Sequence, residues 1–218
     1  MKIKQNLNNI KSQLPAHVTL VAVSKTKPVA DLMEAYNAGQ RIFGENKIQE
    51  MTDKWEVMPK DIEWHMIGHV QTNKVKYMAP YVSLIHGVDS LKLLQEINKQ
   101  AAKNNRVIDC LLQVYIAEEE SKFGLDEKEL EEVLKLVQND KENYKNTRIV
   151  GLMGMATFTE NKNQIEKEFK HLKTIFDKFT IHNSQFTILS MGMSGDYQLA
   201  ISCGSTMVRI GSSIFGSR

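Results

Sequence analysis

Residues 18–38 read VTLVAVSKTKPVADLMEAYNA. An apolar, β-branched run at 18–23 gives way to the polar stretch Ser24, Lys25, Thr26, Lys27. Pro28 then opens a mixed apolar and polar segment that stops at Gly39. Proline suits the first turn of a helix and glycine suits the position just past its end, so the stretch reads as one strand followed by one helix. The run is apolar at successive positions, so both faces of the strand are covered, as in a parallel sheet.

The same alternation continues along the chain. Further apolar runs occupy 41–44, 64–68, 82–88, 108–116, 149–155, 186–191 and 207–211. Helical periodicity falls between them. Segment 90–103 begins with Ser90 as N-cap and places Leu91, Leu94, Ile97 and Ala101 on one stripe. Segment 126–138 begins with Asp126 and carries Leu130, Val133, Leu134 and Val137. Segment 164–179 carries Ile165, Phe169, Leu172, Ile175, Phe176 and Phe179. The first 14 residues form one more amphipathic segment with Ile3, Leu7, Ile10 and Leu14.

Eight strands alternating with helices predict an α/β fold, a (β/α)8 TIM barrel. Such a barrel needs about 200 residues, and the chain has 218. The expectation is a single domain spanning 1–218 with one extra N-terminal helix. An open doubly wound sheet is the alternative, but no GxGxxG follows the first run.

Composition narrows the functional classes. Hydrophobic residues are 42% and charged residues 25%, which is ordinary globular usage. Lys+Arg total 28 against 26 Asp+Glu, so no global charge draws the chain to nucleic acid or an anionic membrane. Lys74, Lys76 and Tyr77 form a small basic and aromatic group that reads as a solvated helix face. Cys110 and Cys203 sit in apolar stretches without metal-binding or redox spacing, so buried thiols, no metal site and a reducing cytoplasmic setting are expected. The N-terminus lacks a secretory pattern, and no run of about 18 apolar residues occurs.

In a TIM barrel, chemistry sits at the C-terminal ends of the strands. On the first strand Thr19, Val21, Val23 and Lys25 share a face by the period of two. If that face points inward, Lys25 emerges from an apolar wall, where desolvation favours the neutral, nucleophilic amine. Taken alone, such a lysine fits an ordinary solvated loop better, and Lys27 fits it too. The seventh and eighth strands end in Gly192, Ser194 and in Gly211, Ser212. Barrels often bind phosphate there, where glycine admits an anion to the backbone and hydroxyls donate to it. Plain Gly/Ser turns are the other reading. Arg209 precedes Gly211 by two, so it faces the same interior; it answers either a buried acid or a ligand heteroatom. An amine, a phosphate cup and an inward arginine together suggest pyridoxal 5′-phosphate.

Several blocks then carry a resemblance: AVSKTKP at 22–28, FGENKIQE at 43–50, WHMIGHVQTNK at 64–74, SKFGL at 121–125, GLMGMA at 151–156, SMGMSGDYQLAI at 190–201 and GSTMVRIGSSIFG at 204–216. Together they resemble the pyridoxal phosphate homeostasis protein family over nearly the whole chain. The resemblance implies a barrel similar to the N-terminal domain of bacterial alanine racemase. It implies that Lys25 holds the cofactor covalently as a Schiff base, that Ser194, Gly211 and Ser212 meet the phosphate, that Arg209 meets the pyridine nitrogen, and that Asn46 lies near the cofactor. His65 falls within a matching block and reads as a packed barrel residue. Lys47, His69 and Gly87 depart from the family pattern, and Lys47 is expected to alter charge at the barrel mouth.

A permanent cation at the ring nitrogen disfavours its protonation and weakens the cofactor as an electron sink. Racemisation also needs a second acid/base opposite the lysine, and the six tyrosines offer no evident one. The expected function is therefore intracellular pyridoxal phosphate (vitamin B6) homeostasis rather than catalysis, by a monomer with no catalytic residue. Apo-enzymes that depend on the cofactor are candidate recipients. A low-activity amino-acid racemase, and a cofactor-free barrel enzyme acting on a phosphorylated metabolite, remain open alternatives.

Overall fold

The computed structural model describes residues 2–118, 123–181 and 183–216. Ser121 and Lys122 of the SKFGL block lie outside the described residues. Eight parallel strands close in sequential order: β1 (Thr19–Val23), β2 (Ile42–Glu45), β3 (Glu63–Met66), β4 (Leu84–Val88), β5 (Ile108–Gln113), β6 (Thr147–Met153), β7 (Ile188–Met193) and β8 (Met207–Ile210). Closure joins β8 to β1, with Thr19 opposite Met207 and Val21 opposite Arg209. The open-sheet alternative is thereby excluded. A closed ring leaves no unpaired strand edge.

Two apolar layers explain why the strands read as unbroken apolar runs. Leu20 and Ala22 face outward and join the core between barrel and helices. Val21 faces inward and packs with Leu84, Leu111, Val150, Met153 and Met207 in the barrel interior. The inward parity expected of Val21 thus holds.

The helices are α1 (Lys2–Gln13), α2 (Val29–Asn37), α3 (Ile48–Val57), α4 (Val75–Met78), α5 (Leu91–Lys103), α6 (Glu127–Asn139), α7 (Lys162–Thr180), α8 (Tyr197–Ser202) and α9 (Ser212–Phe215). Ser90 caps α5 by accepting from Leu93 N at 3.3 Å. Asp126 and Glu129 form a capping box at the start of α6. Sequence periodicity did not delimit α3, α4, α8 or α9. None of the four has a side-chain N-cap, and three of them run for only four to six residues. Helix α1 buries Ile3, Leu7 and Ile10. Its Asn6 Nδ2 donates to Ile214 O at 3.0 Å, tying the extra N-terminal helix to α9 just beyond the end of β8.

Candidate functional site

Strand β1 ends two residues before Lys25, although Ser24 N still donates to Gly44 O at 3.0 Å. Thr26 has φ of 64°, an uncommon conformation for a β-branched residue. The turn is held from behind. Thr26 N donates to Glu50 Oε1 at 2.6 Å. Lys54 Nζ donates to Ser24 O at 2.8 Å, Glu45 Oε1 at 2.7 Å and Glu50 Oε1 at 2.8 Å. Ser24 Oγ donates to the same Glu45 oxygen at 2.6 Å. Glu45 is fully buried, and its Oε2 has no hydrogen-bond partner among the described residues. Burial pushes its carboxyl pKa up, against the pull of the Lys54 and Ser24 hydrogen bonds.

This brace supports the segment on which Lys25 sits. Lys54→Met removes the cation and leaves the buried Glu45 uncompensated. An uncompensated buried charge costs several kcal/mol, so stability should fall by about 3 kcal/mol in urea unfolding at neutral pH. A loss below about 1 kcal/mol, the worth of a surface pair, would mean that the brace carries no weight.

Arg209 is 3% exposed inside the barrel. Its Nη1 donates to Ser190 O at 2.9 Å and Ser190 Oγ at 2.6 Å, and its Nη2 donates to Gly154 O at 3.2 Å. Burial lowers its pKa to about 10, so it remains a cation at neutral pH. Ser190 Oγ lies 3.0 Å from His86 Nδ1, and His86 Nε2 lies 3.0 Å from His65 Nδ1. Since Arg209 only donates, these bonds are satisfied when Ser190 donates to His86 and His86 donates to His65. Burial pushes the His65 pKa down to about 3 and that of His86 well below the usual range, so both rings are neutral. His65 is a packed interior residue, as expected. The buried-acid reading of Arg209 fails, because its partners here are a hydroxyl and carbonyls.

The ends of β7 and β8 meet beside β1. Gly211 N donates to Ser194 Oγ at 3.2 Å. A Cβ on Gly211 would stand 3.1 Å from Val23 O and 3.2 Å from Val23 Cβ, so a side chain there would press on the end of β1. Helix α9 begins at Ser212, and the first N–H groups of a helix have no intrahelical acceptor. Gly192 serves packing instead. Its φ is 98°, and a Cβ would approach Ala200 Cβ at 2.6 Å. It allows α8 to pack closely and is not among the cavity-lining residues.

A cavity of about 590 Å³ opens at this end of the barrel. Lys25, Asn46, Ser194, Arg209, Gly211 and Ser212 all line it, so the six residues singled out in the sequence share one space. Lys27, His69 and Asp196 line it too. Its rim carries Phe123 and Phe158, the latter 93% exposed. Gln113 Nε2 donates to Phe123 O at 2.7 Å and so holds one side of the rim. Asn46 is packed hard against the loop that follows β3: a Cβ on Gly68 would fall 2.4 Å from Asn46 O. Lys47 does not reach the cavity. It is exposed and lines a neighbouring groove with Lys27, Pro28 and Asp53. At Gly87 a Cβ would stand 2.7 Å from Gly68 O, which explains the absence of a side chain there.

Comparison with known proteins follows the same outline. The family model for the alanine racemase N-terminal domain matches residues 1–218. A pyridoxal phosphate homeostasis protein of Aquifex aeolicus is 40% identical over 91% of this chain and 86% of its own length. One from Haemophilus influenzae is 37% identical over 100% of this chain and 97% of its own length. This chain belongs to the pyridoxal phosphate homeostasis protein family. The solved structure of PipY from Synechococcus elongatus without pyridoxal phosphate superposes with a TM-score of 0.91 at 35% identity, over 98% of this chain and 100% of that one. PipY with pyridoxal phosphate bound gives a TM-score of 0.86 at 33% identity, over 98% and 100% of the two chains. Alanine racemase from E. faecalis shares the fold alone, with a TM-score of 0.80 at 16% identity over 100% of this chain and 58% of its own.

The family blocks contain the brace residues Glu45 and Glu50, but their blocks alone do not reveal that both converge on Lys54. Sequence reading likewise missed Ser190 as the partner of Arg209, and the line from Ser190 through His86 to His65 behind it. These contacts join β3, β4, β7 and β8 across the barrel, so no local spacing announces them. Among the described residues there is no cluster of three or more metal-ligating side chains, and no helix is long and apolar enough to cross a membrane.

Proposed function

We propose that this chain binds pyridoxal 5′-phosphate reversibly and serves intracellular pyridoxal phosphate homeostasis. The observation that carries the reading is the shared cavity: an amine (Lys25), a guanidinium (Arg209) and the Ser194–Gly211–Ser212 turn line one space, with Asn46 beside them. The cavity residues fit the cofactor's chemistry: an aldehyde for a primary amine, a dianionic phosphate for hydroxyl and N–H donors, and a ring nitrogen for a donor. When bound, the cofactor supplies an electrophilic aldehyde carbon and an electron-withdrawing ring.

The chain's residues divide the remaining work. Lys25 attaches the cofactor as a Schiff base, its nitrogen bonding to the aldehyde carbon with loss of water. Ser194 and the Gly211–Ser212 backbone hold the phosphate at the end of β8. Arg209, pinned by Ser190 and Gly154, donates towards the ring nitrogen and keeps it unprotonated. This suits retention and release better than carbanion chemistry. All the residues belong to one chain, so a monomer is a complete binding unit, and apo-enzymes requiring the cofactor are the recipients.

Purified protein incubated with pyridoxal phosphate should show a visible absorption band that borohydride abolishes. Mass mapping should then place a reduced adduct on the peptide containing Lys25. A colourless protein with no trapped adduct would defeat the reading. Sustained racemisation in chiral assays of amino acids would replace homeostasis with catalysis.

A further inference from the structure

A second pair of ionisable side chains stands at the cavity mouth, outside the proposed cofactor contacts. His69 follows β3 and Asp89 follows β4. His69 Nδ1 lies 3.1 Å from Asp89 Oδ2. The Asp89 side chain is 12% exposed, whereas that of His69 is half exposed. Ser90 Oγ donates to the other Asp89 oxygen at 3.4 Å, so both oxygens are engaged. The His69 ring stacks on Phe123, with centroids 4.9 Å apart and planes at 24°. Ring and carboxylate are therefore held in place, and His69 lines the same cavity as Lys25.

A carboxylate only accepts, so the hydrogen between the pair belongs to His69 Nδ1. The Nε2 lone pair is then available to take a proton, and a base oriented by a carboxylate is a recurring catalytic unit. The other titratable side chains lining the cavity are Lys25, Lys27, Asp196 and Arg209. Asp196 Oδ1 closes the β7–α8 turn by accepting from Met193 N at 2.6 Å. Among the described residues, His69 is the cavity-lining group that combines an accepting nitrogen with an orienting carboxylate.

We propose that His69, oriented by Asp89, accepts the proton from primary ammonium compounds that displace Lys25 from the cofactor. The chemical class is free amino acids and protein lysine side chains. This inference rests on the cofactor reading above. At neutral pH such compounds arrive as ammonium ions with no lone pair. His69 Nε2 removes one proton and leaves a neutral amine. The amine nitrogen bonds to the carbon held by Lys25 and passes its two remaining protons to the Lys25 nitrogen. The bond from carbon to Lys25 then breaks, its electron pair staying on Lys25. The imidazolium returns its proton to Lys25, which leaves as an ammonium. Nothing is oxidised or reduced, and one ammonium has replaced another.

The test loads the wild-type protein and the variants His69→Gln, His69→Ala and Asp89→Asn with pyridoxal phosphate. Rapid-mixing absorbance then follows displacement by excess L-alanine. General base catalysis contributes about 10²–10⁴-fold, so His69→Gln should exchange about 100-fold more slowly while still trapping on Lys25 with an unchanged starting spectrum. Added imidazole should restore part of the rate in His69→Ala, which a merely structural role would not predict. In the apo-protein, nitrogen-15 NMR of His69 should show hydrogen on Nδ1 in the wild type and a shifted tautomer balance in Asp89→Asn. An exchange rate in His69→Gln within twofold of wild type, or hydrogen resident on Nε2 in the wild-type apo-protein, would overturn the inference alone. Absence of trapping on wild-type Lys25 would overturn the cofactor reading and this inference with it.

Discussion

Lys25→Ala is expected to lose covalent retention of pyridoxal phosphate completely. The visible band should be absent, and borohydride should trap nothing on the peptide spanning the β1–α2 turn. The turn at Ser194, Gly211 and Ser212, proposed to meet the phosphate, should still hold the cofactor weakly. Loss of the covalent link should lower affinity at least about 100-fold, or about 2.8 kcal/mol. The fold should survive, because the turn is braced through Ser24 and Thr26 by Glu45, Glu50 and Lys54. Lys27→Ala is the matched comparison: it removes a second cavity-lining lysine and should retain the band. If Lys25→Ala keeps a reducible adduct and Lys27→Ala loses it, the attachment point is Lys27.

The second large effect is loss of stability in mild acid. His65 and His86 are buried, hydrogen-bonded to each other and neutral in the folded barrel. Burial holds the His65 pKa near 3 and lowers that of His86 as well, with the neighbouring His65 and Arg209 adding to the effect on His86. An unfolded histidine takes up its proton near pH 6.5. Below that value the unfolded chain binds protons that the folded barrel refuses, so stability is complete above about pH 6.5 and falls with acidification. Each such ring costs up to about 1.4 kcal/mol per pH unit. His65 alone then removes about 3 kcal/mol by pH 4, and His86 acts in the same direction. Glu45 has the opposite sign, since its raised pKa makes the folded state the better proton acceptor. Urea unfolding between pH 6.5 and 5 sets aside the ordinary carboxylates, which are still largely ionised there, and comparison with histidine variants separates the rings from Glu45. His65→Gln and His86→Gln should flatten the slope. A wild-type slope across that window no steeper than that of either variant would contradict the burial of both neutral rings.

The legible and illegible parts of the molecule divide along physical lines. All eight strands could be read from the chain, because burial on both faces requires unbroken apolar runs. Five helices could be read from their apolar stripes, two of them also from the caps Ser90 and Asp126, which are local signals. The candidate residues were legible for a related reason. In a barrel the ends of all eight strands share one rim, so Lys25, Ser194, Arg209, Gly211 and Ser212 could be gathered by their position relative to a strand end, while Asn46 came from the family resemblance. Their cavity is the consequence of ring closure between β8 and β1.

What local spacing cannot contain is the partner of a buried charge. Arg209 reads equally well as the mate of an acid, and it is the packing of β7 against β8 that gives it Ser190 instead. Glu45 and Lys54 are nine positions apart and show no helical relation, yet a buried carboxylate must find a cation, and α3 folds back to supply it. His69 and Asp89 follow different strands, and only the adjacency of β3 and β4 brings them within hydrogen-bonding distance. Periodic burial is written along the backbone and is available to anyone who counts residues. Charge compensation depends on distances through space, and those exist only once the barrel has closed.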